Sequence, residues 1–301
     1  MKLTILGSYS ATPHTDKAPT AQLLETKGNR FLIDCGEGTQ VRLRQHRVKF
    51  SQIKHIFISH LHGDHFYGLP GLISTFRLLG REAPLHVYGP KGIKEAILLL
   101  LKLADSWTNY PLHFHELDAK ESVLIYADDE VEVHTIPLRH RIYTNGFLFK
   151  ELPGLRKINK AAVDQYRIDM SQFHKLKQGY DVVDSQGNII SNTQLTTDPI
   201  APKSYAFCSD TAYFTELAQV VKGVDVMYHE STFLDDREDL AKKTFHSTAK
   251  QAARVAKQAD VGQLLLGHFS SRYKSLNPFM EEAKTIFENT QLALDGMVFD
   301  F

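Results

Sequence analysis

A cluster of metal-ligating side chains constrains this chain more than any other feature of its sequence. It consists of three histidines and an aspartate within six residues: His60, His62, Asp64 and His65. The cluster directly follows the apolar run 56–58, which is typical of a buried strand. Burying these groups side by side without partners would cost roughly 1 to 3 kcal/mol for each of them. A bound cation removes that cost, since zinc and similar cations bind imidazole nitrogen and carboxylate oxygen. The segment predicts a metal site in a turn, with Gly63 giving the turn its backbone freedom.

The spacing of these ligands favours two ions over one. Four ligands from one short loop do not readily surround a single ion, so His60 and His62 are assigned to one ion and Asp64 and His65 to the other. Each ion then needs further ligands, and three other apolar strands are followed by one each: His140, Asp210 and His268. A bridging carboxylate would hold two ions ~3.5 to 4 Å apart, the spacing used in the hydrolysis of phosphate esters. We interpret the more isolated histidines as structural or exposed: His55, His86, His113, His115, His134 and His174.

Strands and helices alternate along most of the chain. The predicted strands cover residues 2–6, 20–25, 30–35, 54–59, 85–88, 122–126 and 131–136, and three more lie in SYAFCSD, VDVMYHES and QLLLGHFS. The predicted helices cover residues 38–47, 69–79, 91–104, 212–221 and 248–258. This alternation predicts a layered α/β domain. Residues 151 to about 200 are polar and break the rhythm, so we interpret them as an insertion.

Composition narrows the functional classes. The chain has 301 residues, 43% of them hydrophobic and 23% charged, as in ordinary globular proteins. Its formal net charge is zero, so a polyanion has to be held locally and not by a global field. The longest apolar run, 96–101, is far short of the ~20 residues of a membrane span, and the amino terminus lacks the pattern of a secretory leader. With two cysteines and no leader, the expected location is the cytoplasm.

The motifs around these ligands resemble the metallo-β-lactamase superfamily and, within it, the ribonuclease Z family of tRNA 3′-processing endoribonucleases. The HxHxDH element with its preceding strand is the superfamily signature. The motifs that resemble ribonuclease Z follow in its order: SHLHGDHFYGLPG at 59–71, VYGPKGI at 87–93, LRHRIYTNGF around His140, SDT around Asp210, YHESTF at 228–233, HSTA at 246–249 and HFSSRY at 268–273. The resemblance covers essentially the full length.

The resemblance implies an α/β fold built as a four-layer αββα sandwich over residues 1–301, with a protruding arm inserted at 151–195. It also implies two zinc ions: His60, His62 and His140 bind one, Asp64, His65 and His268 bind the other, and Asp210 bridges them. In the family's reaction a metal-activated water cleaves a phosphodiester and leaves a 3′ hydroxyl on the tRNA.

The same resemblance implies roles in catalysis for three residues. Asp64 helps to activate the attacking water, and Glu230 and His246 relay a proton to the leaving oxygen. Thr248 and Gln251 also match a capping box, so part of the HSTA motif has a structural explanation. Ser270 and Arg272 could hold a substrate phosphate, although an ordinary surface arginine would look the same in the sequence.

The family's arm grips tRNA away from the active site, and its members form homodimers in which one subunit's arm serves the other's site. Precursor tRNA and a second copy of the chain are therefore the implied partners. The arm's cations are the candidates for phosphate contacts: Arg156, Lys157, Lys160, Lys175 and Lys177. Each basic run taken alone is equally compatible with a solvated surface.

Two other functions remain open from the sequence. One is a different hydrolase of the superfamily, such as a thioesterase, a β-lactamase or a small phosphodiesterase, which would use the same ions. The other is a nucleic-acid-binding protein that keeps the fold without catalysis. A β-lactamase would carry a leader, a thioesterase would lack the basic insertion, and a non-catalytic relative would have lost ligands.

Overall fold

The computed structural model describes residues 1–12 and 15–301. They form two compact units, the larger made of Met1–Ala127, Val131–Lys150 and Lys203–Phe301 and the smaller of Asp128–Glu130 and Glu151–Pro202. The strands in chain order are β1 (Lys2–Gly7), β2 (Ala21–Thr26), β3 (Asn29–Ile33), β4 (His55–Phe57), β5 (Leu85–Pro90), β6 (Leu112–Leu117), β7 (Leu124–Ala127), β8 (Val131–Pro137), β9 (Asn145–Glu151), β10 (Lys157–Ile158), β11 (Val182–Val183), β12 (Ile189–Ile190), β13 (Thr196–Thr197), β14 (Ser204–Cys208), β15 (Val226–Glu230), β16 (Gln263–Gly267), β17 (Thr290–Leu292) and β18 (Val298–Asp300).

Most of the helices are short. In chain order they are α1 (Thr39–Gln45), α2 (Gly63–Phe66), α3 (Leu69–Leu78), α4 (Ile93–Leu103), α5 (Lys160–Gln165), α6 (Phe173–Lys177), α7 (Asn192–Leu195), α8 (Leu217–Val220), α9 (Glu238–Thr244), α10 (Ala249–Ala259) and α11 (Asn277–Lys284). The start of α10 confirms the predicted capping box, because Thr248 and the Gln251 side chain satisfy each other's backbone amides.

Two seven-stranded sheets make up the larger unit. One has the order β18-β1-β2-β3-β4-β5-β6 and the other β17-β16-β15-β14-β9-β8-β7. One apolar cluster, containing Phe57, Phe149 and Tyr228, lies between the sheets. A second packs helices α1, α3 and α4 on the first sheet, and a third packs α8, α10 and α11 on the other. The predicted four-layer αββα fold class is therefore confirmed.

The direction of the strands determines where the site lies. Strands β3, β4 and β5 are parallel to one another, as are β14, β15 and β16. Parallel strands deliver their carboxyl ends to one edge of a sheet, and ligands of α/β proteins lie at that edge. The predicted ligands in the segments after β4, β14 and β16 follow such ends, and His140 follows β8.

One predicted helix is wrong over part of its length. The sequence predicts helix over 212–221, whereas α8 covers Leu217–Val220 alone. The Ala212 amide donates to the Arg139 carbonyl at 2.8 Å, which ties this segment to the loop that carries His140. That tertiary contact overrides the local helical preference.

Strands β6 and β9 and helices α9 and α11 are also missing from the prediction. Strand β6, with the sequence LHFHEL, alternates apolar residues with histidines and is only partly buried, so it lacks the apolar run of a buried strand. Strand β9 directly follows the polar loop around His140, which obscures its start.

The smaller unit has a core of its own. Strand β10 pairs with β13 and β11 with β12, around six buried apolar residues: Val163, Ile168, Leu176, Val182, Ile190 and Leu195. The Asn192 side chain donates to the carbonyls of Leu176 and Tyr180 at 2.8 and 3.0 Å and links three of its segments. Because β13 pairs with β10, the compact unit extends beyond the predicted end at residue 195.

Candidate metal centre

The structure brings all the predicted metal ligands together at the carboxyl ends of the strands. They form two sets of nitrogen and oxygen atoms that lie within 4.8 Å of one another: His60, His62, His140 and Asp210 in one, and Asp64, His65 and His268 in the other. The first set comes from the loop after β4, the loop after β8 and the loop after β14. The second joins α2, which follows the loop after β4, to the residue after β16.

The atoms of the first set surround a common point. His60 Nε2 and His140 Nε2 lie 3.1 and 3.3 Å from His62 Nδ1, and they lie 3.6 and 3.9 Å from Asp210 Oδ2. Ligand atoms around one tetrahedral zinc ion, with bonds of ~2.0 to 2.1 Å, are about 3.3 Å apart. The set therefore fits one ion, with His62 using Nδ1 and the other two histidines using Nε2.

The second set has the same dimensions and shares Asp210 with the first. Asp64 Oδ2 lies 3.4 Å from both His65 Nε2 and His268 Nε2. Asp210 Oδ1 lies 3.4 and 3.2 Å from the same two nitrogens. Each oxygen of Asp210 thus faces one set, which is the arrangement of a carboxylate that bridges two cations.

Two buried atoms support the fit to metal independently. Within the described residues, His65 Nε2 and Asp210 Oδ1 are buried without a hydrogen-bond partner. An unpaired buried polar atom costs about 1 to 3 kcal/mol, and a cation between these two atoms would satisfy both. The donor set of imidazoles and carboxylates suits a borderline divalent cation such as zinc.

Asp34 lies behind two of the histidines. Its carboxylate accepts hydrogen bonds from His65 Nδ1 at 2.7 Å and from the Ser59 amide and hydroxyl at 2.7 and 2.9 Å. Ser59 Oγ is 3.0 Å from His60 Nδ1, and since its own proton goes to Asp34 it accepts the proton of that nitrogen. Both imidazoles consequently keep Nε2 free for a metal.

The other two Nε2 ligands are oriented from the opposite side. His140 Nδ1 donates to the Phe245 carbonyl at 2.8 Å. His268 Nδ1 is 2.8 Å from Thr232 Oγ1, whose proton goes to Glu230 Oε2 at 2.8 Å. Every histidine that uses Nε2 therefore has its tautomer fixed through a hydrogen bond from Nδ1.

Glu230 is completely buried and its carboxylate receives five hydrogen bonds. Oε1 accepts from the amides of Thr211 and Ser247, both at 3.0 Å, and from His246 Nδ1 at 2.9 Å. Oε2 accepts from the amide and hydroxyl of Thr232 at 2.9 and 2.8 Å. A carboxylate so enclosed cannot touch a substrate, so its effect is exerted on His246.

The charges at the centre follow from burial and these contacts. Burial opposes the charged form of His246, but the neighbouring Glu230 outweighs it and raises the pKa of His246 to about 9. Burial would raise the pKa of Asp210, yet His268, His65 and His60 hold it well below its ordinary value. Burial lowers the pKa of His60 and His140, which keeps these imidazoles in the neutral form that binds metal.

A cavity of about 400 Å³ opens onto the two ligand sets. His246, Ser270 and Arg272 line it, together with Asp64 and Asp210. Arg272 Nε donates to Ser270 Oγ at 3.0 Å, and its guanidinium lies 5.4 Å from the centre of the Phe233 ring. The predicted phosphate-holding residues are therefore hydrogen-bonded to each other and line the cavity.

The backbone around the centre is unusual. Asp34, Phe245 and His268 have φ values of 55°, 59° and 60°, in the left-handed region that residues other than glycine rarely adopt. Gly63 is a correction: its φ is not in that region, but a Cβ there would lie 2.3 Å from Tyr67 Cε2. Space, and not backbone freedom, requires glycine at this position.

The predicted arm residues lie in the smaller unit. Lys157, Lys160, Lys175 and Lys177 are exposed. The Arg156 amide donates to the Lys177 carbonyl at 3.0 Å, which places the two basic segments side by side. The Arg156 side chain donates to Thr196 Oγ1 at 2.7 Å and pairs with Asp198, so part of its charge is already offset.

Four residues that orient the histidines were not predicted from the sequence: Asp34, Ser59, Thr232 and Phe245. Asp34 follows the apolar strand FLI as the metal ligands follow theirs, and this signal could have identified it. The other three are not distinguished by residue type, since their effect comes from a hydroxyl or a carbonyl that only the fold places beside a histidine.

Two family models match parts of the chain. The model described as Anti-Pycsar protein Apyc1 matches residues 1–147, and the model described as Beta-lactamase superfamily domain matches residues 194–269. Each covers less than half of the chain.

Individual relatives match the chain over nearly its full length. A ribonuclease Z from Cytophaga hutchinsonii is 48% identical over 299 residues, which cover 99% of this chain and 95% of the relative. A ribonuclease Z from Bacteroides thetaiotaomicron is 46% identical over 296 residues, which cover 98% of this chain and 94% of the relative. The crystal structure of human tRNase Z, short form, has a TM-score of 0.73 and 27% identity and covers 100% of this chain and 99% of its own.

The αββα fold with its paired ligand sets defines a metallo-β-lactamase-type hydrolase. At this level of identity over nearly the full length, the chain belongs to the ribonuclease Z family, and it is accordingly an enzyme.

Proposed function

We propose that this enzyme removes the 3′ trailer from precursor tRNA with the help of two zinc ions, leaving a 3′ hydroxyl on the tRNA. The observation that carries the proposal is the pair of ligand sets that share Asp210, with His246 lining the same cavity beside Glu230, which raises the pKa of His246 to about 9. The names of the relatives supply the substrate class.

The first set would hold one cation and the second set the other, with Asp210 contributing to both. When bound, the cations supply Lewis acidity toward the phosphodiester and lower the pKa of water. Asp64, whose pKa the adjacent His65 and His268 hold below its ordinary range despite burial, stays ionised and orients the attacking water as a hydrogen-bond acceptor.

A 3′ hydroxyl on the product requires that the bond between phosphorus and the 3′ oxygen breaks, so the phosphate stays on the trailer. The leaving 3′ oxygen takes up a proton. His246 supplies it, because Glu230 holds Nδ1 and keeps the ring charged, which leaves Nε2 as the acid. Ser270 and Arg272 bind the phosphate oxygens.

The smaller unit serves as the tRNA-binding arm. Its lysines are exposed, while several of its carboxylates are used internally: Asp169 accepts from the Ser171 amide, Asp181 from the Asn192 amide and Asp184 from the Asn188 amide. These lysine side chains are therefore available to phosphates, although the segment as a whole does not carry a large net charge.

The enzyme acts as a homodimer. Val41 on α1 and Leu78 and Leu79 at the end of α3 are 54%, 83% and 54% exposed around a small apolar cleft, and a second copy would cover them. Sedimentation analysis tests this. Leu78→Lys is expected to yield monomer, whereas Leu103→Lys, at an equally exposed leucine on α4, leaves the dimer intact.

Cleavage of a precursor tRNA with an extended trailer tests the main proposal. The zinc-loaded protein is expected to release one mature-length tRNA and a trailer with a 5′ phosphate. Asp64→Ala should abolish this cleavage while largely preserving tRNA affinity, since the arm dominates binding. Turnover of bis(p-nitrophenyl) phosphate or a thioester with the precursor left intact would favour a different hydrolase, and binding without any turnover would favour a non-catalytic protein.

A further inference from the structure

A second cleft adjoins the metal centre, and the proposed mechanism does not use it. Its volume is about 740 Å³, larger than that of the metal-centre cavity. Cationic and aromatic side chains make up much of its lining: Lys120, Arg139, Arg141, Tyr143, Phe214 and Phe245. Arg141 lines both cavities, so a chain of nucleotides that passes from one to the other runs beside its guanidinium.

Arg139 is held as a flat platform in this cleft. Its guanidinium lies 4.4 Å from the centre of the Phe214 ring and donates to Glu216 at 3.2 Å. The Arg139 amide donates to Thr211 Oγ1 at 3.1 Å, which fixes the backbone as well. The guanidinium of a surface arginine is ordinarily mobile, but here an aromatic ring supports one face and leaves the other for a planar ligand.

Phe245 contributes an exposed ring next to the catalytic histidine. It is 43% exposed, so its ring gains little from core packing, and its φ of 59° is costly for a bulky residue. A glycine would meet the same backbone requirement without strain. A strained backbone at a functional site argues for a function of the residue that occupies it.

Flat cationic and aromatic surfaces together with free cations suit one kind of ligand. Unpaired nucleic-acid bases stack on aromatic rings and on guanidinium planes, and their phosphates pair with arginine and lysine. The cleft thus matches a single-stranded nucleotide, with its flat base and its phosphate, better than an apolar small molecule.

The position of the cleft identifies which nucleotide. His246 lines the metal-centre cavity, and Phe245, the residue before it, lines the second cleft. The nucleotide whose 3′ oxygen lies at the ligand sets, beside His246, is therefore the one whose base reaches the second cleft. We propose that the base of the last nucleotide retained on the tRNA binds in this cleft, stacked on the guanidinium of Arg139 over Phe214. This inference rests on the proposed function and specifies how its substrate is held.

A precursor with an abasic site tests the inference. Three substrates are compared: the normal precursor, one without the base at the last retained nucleotide, and one without the base at the first trailer nucleotide. The wild-type kcat/KM is expected to fall about tenfold for the second substrate, as for loss of one base stack, and less than twofold for the third. The ratio of normal to abasic cleavage cancels any general effect of a variant on the metal centre.

Arg139→Lys is the informative variant, because it keeps the charge and removes the planar surface. The tenfold ratio is expected to shrink to about two. Phe214→Leu, which keeps apolar volume but removes the ring, is expected to reduce it as well, while Trp107→Ala, at an exposed aromatic residue remote from the cleft, keeps the wild-type ratio.

Three results would overturn the inference. They are equal cleavage of the normal precursor and the one lacking the retained base, a larger penalty on the trailer side, and an unchanged ratio in Arg139→Lys. Each of them leaves the proposed function standing, since the precursor is cleaved. Failure of the wild type to cleave any of the three would instead contradict the proposed function, and the inference would fall with it.

Fluorescence gives a readout that does not depend on turnover. A 2-aminopurine base at the last retained nucleotide is expected to be quenched on binding to Asp64→Ala protein, and markedly less quenched when Arg139→Lys is added. Equal quenching in both proteins would contradict stacking on Arg139.

Discussion

At the scale of single residues, two buried carboxylates organise the metal centre without being ligands. Asp34 controls His65 directly and His60 through Ser59, and Glu230 controls His246 directly and His268 through Thr232. The two carboxylates come from different sheets: Asp34 follows β3 of the first sheet, and Glu230 is the last residue of β15 in the second. Asp34 therefore acts on predicted metal ligands alone, whereas Glu230 acts on one predicted ligand and on the proposed proton donor.

Asp34→Asn is expected to weaken zinc binding by about 10- to 100-fold, because the amide cannot accept from both His65 and Ser59 and leaves an imidazole without its orienting partner. Competition with a chromophoric chelator measures the affinity. Asp225→Asn is a matched control, since Asp225 also accepts an amide and a hydroxyl, both from Ser204, at the other end of β14. An unchanged affinity in Asp34→Asn would contradict the role of the carboxylate.

His246→Ala is expected to lower kcat on precursor tRNA by about 10²- to 10⁴-fold, the usual contribution of a general acid. The loss on bis(p-nitrophenyl) phosphate should be under tenfold, because p-nitrophenolate departs without a proton. Steady-state kinetics on both substrates checks this. Equal losses would mean that the histidine supports the metals and does not donate a proton.

The seven predicted ligands could be picked out from the sequence because four of them form the HxHxDH element and the other three each follow an apolar strand. Their partners could not. A serine, a threonine and a carbonyl oxygen carry no signal until the fold sets them beside an imidazole, and the burial of Glu230 is likewise a property of the folded chain.

At the scale of secondary-structure elements, strands β4, β5 and β6 carry a row of aligned histidines outside the candidate metal centre. His86 stacks between His55 and His113, at ring-centroid distances of 5.2 and 4.8 Å. His86 Nδ1 lies 3.0 Å from His115 Nε2, a hydrogen bond that needs one nitrogen protonated and the other not. Adding a proton to both rings would break it.

Stability is accordingly expected to fall below about pH 6.5, the ordinary value for histidine. Burial and the neighbouring His113 lower the pKa of His86 and His115 in the folded chain, so the unfolded chain binds protons first as the pH drops, and the free energy of unfolding decreases until the folded groups also titrate. Urea unfolding at pH 7.5 and 5.5 measures the difference. This difference in the free energy of unfolding should be smaller in His86→Gln than in the wild type. It should be unchanged in His174→Gln, at an exposed histidine of the smaller unit. The same pH dependence in the wild type and both variants would contradict the role of the histidine row.

Elements with a clear apolar period were predictable, as with β14, β15, β16 and α10. Those defined by tertiary contacts were not. Strand β6 is partly exposed and interleaved with histidines, and residues 212–216 are held out of a helix by the bond from Ala212 to Arg139.

At the scale of the whole molecule, the proposed tRNA recognition and the proposed chemistry reside in different units of the chain. Charge reversal of Lys175 and Lys177 in the full-length protein is expected to raise the KM for precursor tRNA about tenfold or more and to reduce the salt dependence of binding by about two phosphate contacts. Kinetics and filter binding at several salt concentrations provide the measurement.

The control reverses Lys222 and Lys257, exposed residues near the amino-terminal ends of β15 and β16, at the edge opposite the metal centre. This pair should leave the KM unchanged. If both pairs had the same effect, overall charge would account for binding and the arm would not.

Lys150 and Ser204 are paired across β9 and β14, so residues 152–202 can also be replaced by a two-residue hairpin turn. This replacement should reduce cleavage of precursor tRNA more than cleavage of a small phosphodiester.

The ligands of the second set are far apart along the chain, since His268 follows Asp64 by 204 residues. During synthesis on the ribosome, the nascent polypeptide therefore has no complete second ligand set until residue 268 has been made. A polypeptide that has not yet reached that residue is expected to lack RNA-cleaving activity.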